Sequence, residues 1–158
     1  MTYQDLTEAI AVRLSQLWPG RMIYRDFCPV NFMRPSGFLY VTDASWENAN
    51  IGLVRWSYEA ELAIFAATDD YDIESTEALR FEQLAVLTAF AGPSIAVGDR
   101  HIVLTVDAAS PGPGEAYVTF SASWLDTRAG YIDDDTAPES VSGVPPIENY
   151  NLNVSVKE

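Results

Sequence analysis

Apolar and polar residues change period several times along the chain, and each change marks an element. Tyr3, Leu6, Ile10, Leu14, Leu17 and Trp18 share one stripe at helical spacing. Thr2 followed by Asp5 resembles a capping box with Asp in place of the usual Glu or Gln, and Pro19-Gly20 ends the pattern. This predicts a first helix. Val12 sits on its opposite, polar side beside Asp5 and Gln16, which makes it a candidate contact with another chain. "RMIYR", residues 21–25, alternates as a short strand, and a second strand is expected over Phe38 to Thr42. From Leu53 to Ala66 the alternation is long. Val54, Trp56, Tyr58, Ala60, Leu62 and Ile64 oppose Arg55, Ser57, Glu59 and Glu61, as in a half-buried strand. At about 3.3 Å per residue such a strand reaches roughly 40 Å, about twice a common length. It must bend, or serve something outside one compact monomer.

The next helix is predicted over about Ser75 to Phe90 and carries two apolar stripes. Phe81, Leu84, Ala85 and Leu87 lie toward one side, with Leu79, Val86 and Phe90 nearly opposite. A helix covering a sheet needs only one apolar face, so the second face predicts another layer or another subunit. Residues 94–106 read as a hairpin around Gly98-Asp99 with Ile102, Leu104 and Val106 inward. After the loop "AASPGPGE", residues 108–115, comes a further strand in which Ala116, Val118, Phe120, Ala122 and Trp124 alternate with Thr119, Ser121 and Ser123. These elements predict an α+β fold: a mixed, mostly antiparallel sheet of about six strands backed by two helices, in one domain over residues 1–127. Residues 128–158 read as an acidic, proline-containing linker and an extended C-terminal arm, which ends in Leu152, Val154 and Val156 alternating with polar residues.

"FMRPSGFLYVTD", residues 32–43, admits two readings. A phosphate-gripping loop needs several glycines leading into a helix N-terminus, where amides converge on an anion. Here the loop leads into a strand. Pro35 fixes its own φ and pushes Arg34 toward an extended conformation, and Gly37 allows a close backbone path. The stretch is therefore read as a strand lead-in with Arg34 exposed.

Charge narrows the function classes. Against 23 Asp plus Glu stand 9 Lys plus Arg, a formal net charge of -14, and the nine bases form no run. Such a surface repels a nucleic-acid backbone, so sequence-specific binding to nucleic acid is not expected. The single cysteine, Cys28, excludes an internal disulfide framework and fits a reducing cytoplasmic setting. The longest apolar run, Leu62 to Ala67, is far short of the roughly 20 residues that cross a bilayer, so no membrane span is expected.

Candidate chemistry is thin. Asp69, Asp70, Asp72 and Glu74 lack the glycine and the distal bidentate Glu of a calcium loop, and Asp133, Asp134 and Asp135 read as a solvated turn. His101 is the only histidine and has no second histidine or cysteine near it in sequence. No nucleophile is tied to a base by any motif. The expectation is a protein that is not an enzyme, with no cofactor and no metal.

The order of elements meets specific words of sequence. "TYQDLTEAIAVRLSQLWPGRMIYRDF", "FMRPSGFLYV", "VGDRHIVLTV", "AYVTFSASWLD" and "ENYNLNVSVK" resemble the phage tail terminator family, small proteins of long-tailed phages and related prophages. The resemblance covers nearly the whole chain in order. It implies a sheet backed by helices, and self-assembly into a ring, commonly a hexamer, on the last ring of the tail tube. It also implies arrest of tube growth, a docking surface for the head–neck connector, and residence in the virion at the tail–neck junction after assembly in the host cytoplasm. The lead-in proline is a structural feature in similar proteins. This chain departs from the pattern at Gly37, where an aromatic is more usual, and in the long acidic linker between Asp126 and Tyr150.

Six copies at -14 each carry roughly -84 formal charges, so acids are expected to face solvent and the lumen, where DNA passes without sticking. The expected subunit contacts are Val12, the Leu79, Val86 and Phe90 face of the later helix, and Leu152, Val154 and Val156 of the arm, which would add a strand to a neighbour. Competing readings are another ring component, such as a head–tail connector or tube-completion protein, and, more remotely, a small-molecule binding domain or hydrolase, which needs a concave pocket with converging polar groups.

Overall fold

In the computed structural model, residues 1–67 and 76–131 are described. The first helix, α1 (Tyr3–Leu17), begins as its sequence requires. The Thr2 hydroxyl accepts from the Asp5 amide at 3.2 Å, and the Asp5 carboxylate accepts from the Thr2 amide at 2.7 Å. Those bonds to Thr2, its amide first, hold the Asp5 carboxyl below the usual carboxylate range. Leu6, Ile10 and Leu14 are fully buried, and Thr7 reaches inward to share a 2.9 Å hydrogen bond with the buried Tyr58 hydroxyl.

The strands are β1 (Met22–Arg25), β2 (Ser36–Asn48), β3 (Leu53–Phe65), β4 (Ile95–Val97), β5 (Arg100–Ile102), β6 (Thr105–Ala108) and β7 (Glu115–Thr127), with α2 (Thr76–Ala89) between β3 and β4. Five of them form one mixed sheet in the order β1-β2-β3-β7-β6, and β4 and β5 make a separate hairpin. Only β1 and β2 run parallel. The fold is α+β, and Met1–Arg128 forms one compact unit.

Two strand expectations are corrected. The single strand expected over residues 100–106 is two, because the chain leaves the hairpin after Ile102 and enters the sheet edge at Thr105, with Val103 exposed between them. The strand expected to end at Thr42 continues to Asn48. Its second half is exposed on both faces, and the register shifts between Val41 and Asp43, so the alternation that marks a half-buried strand is absent there.

The face of β3 that carries Val54, Tyr58, Ala60, Leu62 and Ile64 meets Ala116, Val118, Phe120 and Trp124 of β7, and both helices cover it. Trp46, Trp56 and Trp124 lie abreast across β2, β3 and β7, and the Trp56 and Trp124 rings stack at 6.1 Å and 11°. At the opposite end of the sheet, Arg34 is exposed, as expected of a lead-in, and closes the sheet. Its guanidinium donates to the carbonyls of Ala66 (3.4 Å) and Gly114 (3.3 Å) and lies over the rings of Phe32 and Phe65. The Arg34-Pro35 bond is cis. Gly37 is buried, and a Cβ there would stand 3.0 Å from the Ile23 side chain and 3.3 Å from that of Leu62. This chain has no room for an aromatic at that position without repacking.

The orientation of α2 is the main correction. Leu79 and Val86 are fully buried and Phe90 nearly so, with its ring 4.9 Å from that of Phe120. Their stripe faces the chain's own sheet and cannot be the contact with a neighbour. Gln83 lies in the same stripe, and its Nε2 donates to the carbonyls of Ala109 (2.7 Å) and Tyr117 (2.9 Å). Those two bonds satisfy a buried amide and fix which side of the helix looks inward.

Candidate functional site

The opposite face of α2 is the open one. Phe81 is 65% exposed and Leu84 57%. With Leu17, Ala85, Thr88 and Ala89 they line a shallow depression of about 430 Å³ that is apolar over most of its surface. Arg21 makes a bidentate pair with Glu82 at 2.7 and 2.8 Å and lies over the Trp18 ring at 4.5 Å. Phe81 and Leu84 leave an apolar patch on this face of α2 open to water in a single copy.

A second surface is the sheet face turned away from the helices. By the register it presents Tyr40, Asp43, Ser45 and Glu47 of β2, Ser57, Glu59 and Glu61 of β3, Thr119, Ser121 and Ser123 of β7, and Thr105 and Asp107 of β6. Arg55 shares this face and pairs with Glu47 at 3.2 Å. The Thr42 hydroxyl donates to Glu59 at 3.1 Å, and the Tyr40 hydroxyl donates to Glu61. Burial first, and then the Glu61 carboxylate, push the Tyr40 phenol well above its ordinary value, so it stays a donor. The face is acidic and rich in hydroxyls.

A third feature is the outer edge of β2. β1 pairs with it only from Met22–Ser36 to Arg25–Leu39, and Asp26 at φ 56° then turns the chain out of the sheet. No described strand pairs with that edge beyond Leu39. Beside it runs a groove of about 600 Å³, bounded by Tyr3, Thr7 and Glu8 of α1, by Arg25 and Asp26, and by Val41 to Ala44 of the edge itself.

Among the residues singled out from sequence, Val12 is 47% exposed and lines a separate groove with Ile23 and Arg25. It is not brought together with Phe81 and Leu84. Leu152, Val154 and Val156, like Asp69, Asp70, Asp72, Glu74, Asp133, Asp134 and Asp135, lie outside the described residues. His101 is exposed in β5, with Ser94 Oγ 3.3 Å from its Nδ1. Among the described residues, no group of His, Cys, Asp and Glu side chains is placed to hold a metal, and no helix is long and apolar enough to cross a membrane.

Sequence reasoning missed the loop between β1 and β2, where Phe27, Val30 and Met33 project into solvent. The base of that loop is fixed by the Met33 amide, which donates to the Tyr24 hydroxyl at 3.1 Å, and by Phe32 packed on Phe65 at 4.2 Å. Its apolar residues follow no helical or strand period, so pattern alone does not mark them.

No protein-family model matches the chain, and no curated protein matches it either. Among the solved structures, 28 chains are similar; one of them matches at 14% identity, over 84% of this chain and 99% of that one, with a TM-score of 0.39.

Proposed function

We propose that the protein is a structural virion component that assembles with copies of itself into a ring: a tail terminator that caps the tail tube, stops its polymerisation and presents a docking surface to the head–neck connector. The observation that carries this reading is the outward apolar face of α2 around Phe81 and Leu84, which one copy leaves uncovered. The sequence resemblance supplies the kind of ring, commonly a hexamer at the tail–neck junction. The acidic sheet face suits a lumen through which DNA passes without being held, since like charge repels the phosphate backbone. The Phe27, Val30 and Met33 loop is an apolar projection available to a tube or neck partner.

The test is a tube-assembly reaction. Purified protein is added to tail tube subunits during polymerisation, and tube lengths are read by negative-stain microscopy, with images of the protein alone alongside. Rings in the protein alone and short, capped tubes in the mixture are expected. Rings that leave tube length unchanged would assign the protein to another station in the particle, such as the head–tail connector. A solitary protein at high concentration would end the ring reading altogether.

A further inference from the structure

We infer that the outer edge of β2, from Val41 to Asn48, is a docking site for the C-terminal segment of a second copy of this chain, residues 150–157, added as a further strand. The inference rests on the self-association in the reading above and not on its tail assignment.

The edge has unpaired main-chain donors and acceptors on its outer side once β1 has turned away at Asp26. Exposed edges of this kind are ordinarily shortened, covered or paired. The two faces of β2 differ. Ala44 and Trp46 share the helix side with Tyr58 and Trp56, whereas Asp43, Ser45 and Glu47 share the acidic side with Glu59, Ser57 and Arg55. The terminal segment has the matching alternation. Leu152, Val154 and Val156 fall on one side, and Asn151, Asn153, Ser155 and Lys157 on the other. Docked with its apolar side toward Val41, Ala44 and Trp46, it turns Lys157, the only lysine in the chain, to the side that carries Asp43 and Glu47. A register slipped by one residue would put the lysine among apolar side chains and the valines among carboxylates.

The place where the chain leaves the compact unit favours a second copy. The Arg128 amide donates to the Gly52 carbonyl at 2.8 Å, and its guanidinium donates to Asn48 Oδ1 at 2.7 Å, so the exit is fixed at the far end of the β2–β3 hairpin. Residues 129–149 then carry five acids, three prolines and no base. Like charges and prolines favour reach over doubling back, and about 20 residues span up to roughly 70 Å when extended.

The test joins the middle of the edge to the middle of the segment, which reads either strand direction. In full-length protein with Cys28→Ser, the pair Ala44→Cys and Val154→Cys is oxidised mildly and run on a non-reducing gel, with each single substitution as control. A ladder of covalent multimers is expected, and heterodimers when the two single variants are mixed. A disulfide closed within one chain, or none at all, overturns the proposal. Light scattering on the unoxidised sample separates the two readings: a mass of several copies without cross-links removes the docking and leaves the ring, whereas the mass of one chain removes both. Should the cysteine pair fail to fold, Val154→Pro in the native sequence takes its place. Loss of the oligomer is then expected, and an unchanged molar mass overturns the proposal.

Discussion

Replacing Phe81 and Leu84 by serine isolates the contribution of the outer face of α2. Full burial of one such side chain contributes about 1.5–3 kcal/mol. Phe81 is 65% exposed and Leu84 57% in a single copy, so roughly two-thirds of that, about 1–2 kcal/mol each, is available to a contact. Together they supply about 2–4 kcal/mol, which corresponds to a roughly 30- to 700-fold weaker association constant per contact in Phe81→Ser with Leu84→Ser. The remaining third or so of each side chain is already covered within one copy, so the fold itself should lose about 1–2 kcal/mol in the double variant. Sedimentation velocity over a dilution series reads the first effect, and thermal unfolding under conditions that dissociate the parent reads the second. The expected result is a large loss of assembly with a single copy that still folds and melts only a few degrees lower, about 2–8 °C. A double variant that dissociates over the same concentration range as the parent would refute the contact, and one that unfolds would refute the exposure.

The remaining predictions concern the fold that holds these surfaces. Leu79→Ala should destabilise the chain by about 2–5 kcal/mol, because its cavity opens under α2; an unchanged urea midpoint would place this stripe outside the core. Gly37→Ala should lower stability by about 1 kcal/mol as the side chains of Ile23 and Leu62 give way, overpacking outweighing the entropy gain of alanine; a stabilised variant in urea titration would show that the site relaxes freely. Asp126 is subject to burial, which raises its carboxyl pKa, but the Thr127 amide at 2.9 Å and Arg100 at 3.0 Å outweigh this and hold it below its ordinary value of 3.8. The stability it contributes is present above about pH 4 and is lost as pH falls through the lowered value. Asp126→Asn should therefore be less stable at pH 7, with a smaller loss between pH 7 and pH 3 than the parent; equal losses in urea titrations would remove Asp126 from the acid response.

Much of the fold was legible because its signals are local. The Thr2 and Asp5 cap, the α1 stripe and the alternation of β3 and β7 each depend on neighbours in sequence, and each formed where its pattern lay. The second half of β2 was not legible, since "DASWEN" has no buried side to impose a period and follows a register shift. The inward face of α2 failed for another reason. Both of its stripes are apolar, and the choice between them depends on carbonyls at Ala109 and Tyr117 that the sheet brings to Gln83 from 26 and 34 residues away. A glutamine inside an apolar stripe argues, by composition alone, for the wrong side. The exposed surfaces were legible only in part. Val12 stood on a polar helix face, but the Phe27, Val30 and Met33 loop and the open edge of β2 depend on how distant segments end.

The three tryptophans abreast across β2, β3 and β7 give this molecule a built-in optical gauge. Two of the indoles stack at 6.1 Å, close enough for their electronic transitions to couple and to sign the near-ultraviolet dichroism with the alignment of the strands. The third, Trp46, stands more than half exposed on the part of β2 that β1 leaves unpaired, so its emission colour follows whatever comes to lie beside it. Trp18, Trp56 and Trp124 emit as well, so edge occupancy is read as the difference in emission between the parent and Trp46→Phe.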